Sequence, residues 1–186
     1  QLIIKTFSEM TDMPVEQIGI GIDGCSAPVF ALPLRNMALA FARLADPAGL
    51  APARAAACRQ ITQAMMAHPD MVAGPGRFDT LAMRALSGRM FAKGGAEGYQ
   101  GMGLMPGALG PGSPALGIAF KIADGDQSDR ARNVVSIEIL RQFGLLSPEQ
   151  IAAELADLAA RPNTNWRKFV VGEIRPAFEL KLERSW

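Results

Sequence analysis

The sequence predicts an α+β fold, a partly antiparallel sheet packed with helices. Three observations lead there. Two β-rich segments, 89–93 and 99–104, are joined only by Gly94-Gly95-Ala96-Glu97-Gly98. That is too short for the helical crossover that parallel strands need, so the pair is antiparallel. The element count is mixed, about five helices and five or six strands with no internal repeat. The composition, 49% hydrophobic and 20% charged over 186 residues, suits one ordinary folded domain rather than a disordered tail or a coiled coil.

The elements follow in chain order. Leu2, Ile3 and Phe7 have helical spacing, and that helix stops before Pro14. It shows no N-cap, and residue 1 is Gln, so the expectation is a chain that starts inside a structural element. Val15 to Ile22 reads as a strand. Its isoleucines alternate with Gly19 and Gly21, which suggests a close approach of another backbone or a ligand. A turn at Asp23-Gly24-Cys25 precedes a short strand, Val29 to Leu32. Asn36 to Ala45 is helical, with Met37, Ala40, Phe41 and Leu44 on one face, and ends at Asp46-Pro47. A helix from Pro52 to Ala67 takes Ala57, Ile61 and Met65 as its apolar stripe, with Cys58 as a small buried hydrophobe. His68-Pro69-Asp70 opens a loop. Phe78 to Leu86 is a short helix with Thr80 and Arg84 outward.

Ala115 to Lys121 is a third strand, and Lys121 to Asp126 a turn. The next helix has Ser128 as N-cap, a buried stripe of Ala131, Val135, Ile139 and Phe143, and an end at Phe143-Gly144. Ser147 and Gln150 have capping-box spacing around Pro148, and Ile151, Leu155 and Leu158 form the inner face that follows. Trp166 to Ile174 reads as one β-rich run, and 177–186 as a charged, extended end.

Charge and composition exclude several function classes. Lys plus Arg total 19 against 18 for Asp plus Glu, so no basic field exists to attract nucleic acid. Two cysteines, Cys25 and Cys58, leave one bridge open but no disulfide framework, and the pattern fits a reduced cytoplasmic protein. The uncharged stretch Gln100 to Phe120 carries six glycines and three prolines, which a membrane-spanning helix would not sustain.

Few motifs carry chemistry. Gly19-Ile-Gly21-Ile-Asp-Gly24 has dinucleotide spacing, but extended chain rather than a helix follows it. Asp124-Gly-Asp126-Gln-Ser-Asp129 lacks the glycine and glutamate of a calcium loop, so it reads as a solvated turn, or as a turn positioning a neighbouring loop. His68, the single histidine, sits at a helix end with no serine or cysteine elbow nearby. No serine has a lysine three residues on, so these residues contain no Ser-x-x-Lys pair. Two strand-end turns remain. Asp23-Gly-Cys25-Ser26 offers an acid for an amine and a thiolate for a metal, and Lys93-Gly-Gly95 a cation for a carboxylate. The ordinary reading of each is a tight turn.

These same turns carry a resemblance. Gly21-Ile-Asp-Gly-Cys-Ser-Ala-Pro28 running through Phe30-Ala-Leu-Pro-Leu34, then Lys93-Gly-Gly-Ala-Glu-Gly98, Lys121-Ile-Ala-Asp-Gly-Asp126 with Arg130-Ala131, and Val171-Gly-Glu-Ile-Arg175 resemble the bacterial L-asparaginase II family. This is the cysteine-containing group. The resemblance implies a fold similar to serine β-lactamases, penicillin-binding proteins and glutaminases. It implies hydrolysis of L-asparagine to L-aspartate and ammonia through a serine activated by lysine. Lys93-Gly94-Gly95 would match that superfamily's Lys-Thr-Gly box, with Gly94 in place of Thr. Asp23 would bind the substrate's α-amino group or order the site, and Lys93 would bind substrate or tune nearby charge. Cys25 would be a zinc ligand, and the chain would form a homodimer, as family members can, or associate with the missing N-terminal part.

The family's Ser-x-x-Lys segment, a second serine and a further metal-binding Cys and Lys precede the Asp-Gly-Cys motif and are not among these residues. The expectation is therefore that residues 1–186 are the C-terminal part of one asparaginase-like domain, inactive alone. Its pocket would be lined by Asp23, Cys25 and Lys93, and part of its apolar surface would lie exposed. The alternative is a non-catalytic small-molecule-binding scaffold of the same fold.

Overall fold

A computed structural model describes residues 2–181, apart from the side chain of Ser128, so the expected cap there and the end at 182–186 lie outside it. Helix α1 (Leu2–Thr11) and one 3-10 turn (Val15–Gln17) lead into β1 (Gly19–Ile22), antiparallel to β2 (Pro28–Ala31). Four helices follow: α2 (Leu34–Ala45), α3 (Pro52–Ala67), α4 (Pro69–Ala73) and α5 (Phe78–Ala85). Then come β3 (Met90–Gly94), β4 (Tyr99–Leu104) and β5 (Leu116–Lys121), a 3-10 turn (Gln127–Asp129), and α6 (Arg132–Gln142). The described chain closes with α7 (Pro148–Glu154), α8 (Ala156–Ala159) and the hairpin β6 (Arg161–Thr164) with β7 (Val170–Ile174). The α+β prediction holds.

The core is the antiparallel sheet β3-β4-β5. Strand side chains alternate between faces, and here the alternation is one of size. Met90 and Ala92, Met102 and Leu104, and Leu116, Ile118 and Phe120 join Phe78 and Ala82 of α5, Leu86 just after it, and Ile137 and Leu140 of α6 in one apolar cluster. The opposite face carries Phe91 and Ala119 together with Gly101, Gly103 and Gly117, and α2 lies against it. A Cβ on Gly101 would come 2.2 Å from the Phe41 ring, which sits there and stacks on Phe91 at 5.8 Å between centroids. The glycines of this strand pair let a helix approach the sheet closely.

Several expectations change. The strand read at Val15 to Ile22 begins only at Gly19; a Cβ on Gly19 would stand 3.2 Å from the Ala31 Cβ of β2, a tight approach, whereas one on Gly21 would make ordinary contact with Val29 at 3.5 Å. The segment after His68 is not a loop but α4. Thr80 points inward: its hydroxyl donates to the carbonyls of Pro69 (3.1 Å) and Gly74 (2.7 Å) and ties α4 to α5. Helix α3 buries Ala55, Cys58 and Thr62, while Ile61 is half exposed, because the Thr62 hydroxyl satisfies itself on the Cys58 carbonyl and needs no water. Helix α6 is buried on nearly all sides: Ile139 of the expected stripe lies in the core, Val135 and Phe143 pack partly buried against it, and Val134, Ile137 and Leu140 are buried as well. The Trp166 run is a hairpin whose turn leaves Trp166 92% exposed. The capping box at Ser147 and Gln150 forms as read. Both cysteines are free, with Cys58 buried and Cys25 exposed.

Large apolar side chains do lie exposed, chiefly Leu2 and Ile3 of α1, Ile20 and Ile22 of β1, and Phe169, Val170 and Val171 of the last hairpin. No described helix is long and apolar enough to cross a membrane.

Candidate functional site

A cavity of about 680 Å³ opens where three segments meet: the α4–α5 junction, the β3–β4 turn and the loop from β5 into α6. Polar residues dominate it. Lys93 and the Gly94–Gly98 turn form one wall, Arg77 and Asp79 another, and Asp126, Asp129 and Arg132 the third.

Each wall is fixed by buried charge. Asp79, 6% exposed near the start of α5, accepts the Gly94 N–H at 2.6 Å and the Gln100 side-chain amide at 2.9 Å, so it holds the end of β3 to β4. Arg132 begins α6 and is also 6% exposed. Its Nη1 donates to the carbonyls of Gly95 (2.9 Å) and Tyr99 (3.2 Å), and its Nη2 meets Asp129 Oδ1 at 2.7 Å. Asp129 also pairs with Arg77 at 3.1 Å. Asp126 accepts the Ala131 and Arg132 backbone N–H groups at 2.7 and 2.8 Å, so its carboxylate caps the start of α6. The Asp126 N–H in turn donates to Asp124, and with the Arg130 guanidinium beside it this holds the Asp124 carboxyl below its usual range.

Three non-glycine residues on this rim have left-handed backbone: Glu97 (φ 53°), Asp126 (φ 49°) and Asp129 (φ 55°). Such conformations cost about 1–3 kcal/mol each and cluster at functional sites. The surrounding bonds enforce them. Gly98 backs onto Ile122 and Asp126 with no room for a Cβ, and Lys121 Nζ donates to the Glu97 carbonyl at 2.8 Å.

Tyr99, the single tyrosine, flanks this turn. Its hydroxyl is buried without a hydrogen-bond partner among the described residues. Burial pushes its ionisation up to about 12. A near-ultraviolet titration of the folded chain is therefore expected to place the phenol midpoint near about 12, and a midpoint at the ordinary value of about 10 would contradict the burial. The unfolded phenol ionises first. Stability from this group is full below about pH 10 and falls as pH rises toward about 12.

Of the three sequence-read site residues, Lys93 lines the cavity, and its ammonium donates to the Gly94 carbonyl. Asp23 and Cys25 do not line it. They lie on the exposed β1–β2 turn, where Asp23 Oδ1 accepts the N–H groups of Cys25 (2.8 Å) and Ala27 (3.0 Å) and Ser26 is left-handed (φ 62°). Among the described residues no three His, Cys, Asp or Glu side chains are placed to hold a metal, so Cys25 and its neighbours do not by themselves fit a zinc ion. Asp79 and Arg132 escaped the sequence reading, and Asp129 entered it only within the turn 124–129. The signal present was the dense charge run from Asp124 to Arg132, just before a buried helix.

Comparison with known proteins agrees with the motifs. No curated protein matches the chain. A family model described as L-asparaginase II matches residues 1–176, which takes in both turns, the whole cavity and every strand among the described residues, and the chain belongs to the L-asparaginase II family.

Proposed function

We propose that this chain is the C-terminal part of an amidohydrolase that converts L-asparagine and water to L-aspartate and ammonia. The family is that of asparaginase-type enzymes, and the observation that carries the finer reading is Lys93-Gly94-Gly95 at a strand end on the wall of a polar cavity. An ammonium there suits the substrate's carboxylate, and the carboxylate of Asp23, once the two turns are brought to one substrate, suits its α-ammonium. The nucleophile comes from outside these residues. A serine Oγ, its proton taken by a lysine, attacks the side-chain amide carbon. Ammonia leaves with that proton, and water then releases aspartate from the acyl-enzyme. Zinc belongs to this reading only with further ligands from outside the chain, Cys25 giving one thiolate. A cytoplasmic homodimer is proposed on the family resemblance alone.

A second reading, a non-catalytic small-molecule-binding domain, is favoured by the absence of Ser-x-x-Lys among the 186 residues. Ammonia release from asparagine separates the two. The 186 residues alone are expected to give the blank rate. The same residues joined to the segment encoded upstream of Gln1 are expected to turn over, provided that segment supplies Ser-x-x-Lys. Turnover by the 186 residues alone would sink the placement of the nucleophile outside them together with the second reading, and an upstream segment without the pair would favour the second.

A further inference from the structure

We infer that Arg132 is a positioning residue for Lys93, fastening the Lys93–Gly98 turn to the start of α6; the inference rests on reading Lys93 as the substrate-binding cation. A buried guanidinium is costly unless its donors find acceptors. The acceptors of Arg132 are chosen tellingly. The Gly95 and Tyr99 carbonyls sit on the two arms of one turn, which the Gly95 N–H also closes onto the Tyr99 carbonyl at 2.9 Å. One cation therefore ties both arms, while Asp129 holds its other end.

The space for it exists because residue 94 is glycine. A Cβ there would stand 2.7 Å from Arg132 Nη1 and 3.2 Å from its Cζ. On the far side, Asp79 takes the Gly94 N–H. Gly94 is thus held from two directions, with Asp79 on its N–H and Arg132 packed against its Cα, and the Lys93 ammonium is registered on the Gly94 carbonyl. The helix does not depend on the guanidinium for its own start, since Asp126 caps it separately. Loss of the guanidinium frees the turn and leaves α6 in place. Lysine cannot substitute, because a point charge cannot reach two carbonyls and a carboxylate with fork geometry.

The test reads Lys93 directly. The chain has five lysines, Lys5, Lys93, Lys121, Lys168 and Lys181, so a chain labelled with carbon-13 at the lysine ε-carbon gives a countable spectrum, with Lys93→Arg assigning its signal. In Arg132→Lys and in Gly94→Ala, which crowds the guanidinium from the other side, the Lys93 signal is expected to move by several linewidths. Lys121 should follow, since it donates to Glu97 in the same turn, while Lys5 and Lys168 stay. A Lys93 signal unmoved in both variants, in folded protein, overturns the inference. Should Arg132→Lys not fold, Asp129→Asn decides by the same criterion, because it removes the ion pair and keeps the arginine. In the ammonia-releasing protein, Arg132→Lys is expected to raise KM for asparagine about tenfold with a smaller change in kcat. If no form releases ammonia, the asparaginase reading fails, and the Lys93 spectrum still decides the role of Arg132.

Discussion

Replacing Gly117 by alanine is expected to lower the melting temperature by roughly 8 °C or more, on the order of 3 kcal/mol for a chain of this size. The reason is the seat of α2 on the sheet. A Cβ at residue 117 would lie 1.7 Å from the Ala38 carbonyl oxygen and 2.6 Å from the Ala42 nitrogen. Both are backbone atoms of α2, so no side chain can swing aside. Relief requires the helix to lift, which would unseat Phe41 from Gly101 and from its stack on Phe91. Gly172 in β7 is the control: nothing lies within 4 Å of its missing Cβ and its backbone is not left-handed. There alanine is expected to change stability by less than about 1 kcal/mol, since the reduced freedom of the unfolded chain roughly offsets any local cost. Thermal or urea denaturation of both variants checks the contrast. Equal melting temperatures would mean that α2 does not approach the sheet as closely as described.

That glycine face shows what sequence could and could not convey. The antiparallel pair of β3 and β4 was legible because five joining residues exclude a crossover, and the Ser147 box because its two bonds are local. The segments that carry Met102, Leu104 and Ile118 beside glycines read as strands and are strands, but their glycine face gave no sign of α2, since propensity sees glycine and not the helix it admits. Buried hydroxyls misled in the same way. Thr62 and Ser136 lie on the inner faces of their helices, each bonded to the carbonyl four residues back, whereas apolar periodicity assigns inner faces to Ile61 and Val135.

The site divides similarly. Lys93, Asp23 and Cys25 stand in short motifs that a resemblance can carry. Asp79, Asp129 and Arg132 function through partners 15 to 37 residues away or through a left-handed turn, and a charged residue read alone defaults to solvent. Their positions follow only once the β3–β4 turn, the α5 start and the α6 start are brought to one cavity. On the proposed reading, this wall holds the substrate amide while a serine outside these residues attacks it.

Asp126 is where the wall and the fold meet, and its substitution separates two costs. It is 3% exposed, left-handed, and takes both N–H groups that open α6. Asp126→Ala leaves two donors at a buried helix start without acceptors, and alanine disfavours the left-handed backbone, so a loss of about 3 kcal/mol is expected. Asp126→Asn keeps one acceptor oxygen and tolerates the backbone, so about 1 kcal/mol is expected. Urea denaturation gives the two values, and amide exchange at Ala131 and Arg132 gives their location. Faster exchange there, with the β4 amides unchanged, marks a local opening of the α6 start. Because Arg132 hangs from that start, the opening must carry the guanidinium with it and loosen its hold on the Gly95 and Tyr99 carbonyls. Equal losses for the two variants would mean that the carboxylate does not cap the helix, and the link from α6 to the β3–β4 turn would then run through Arg132 alone.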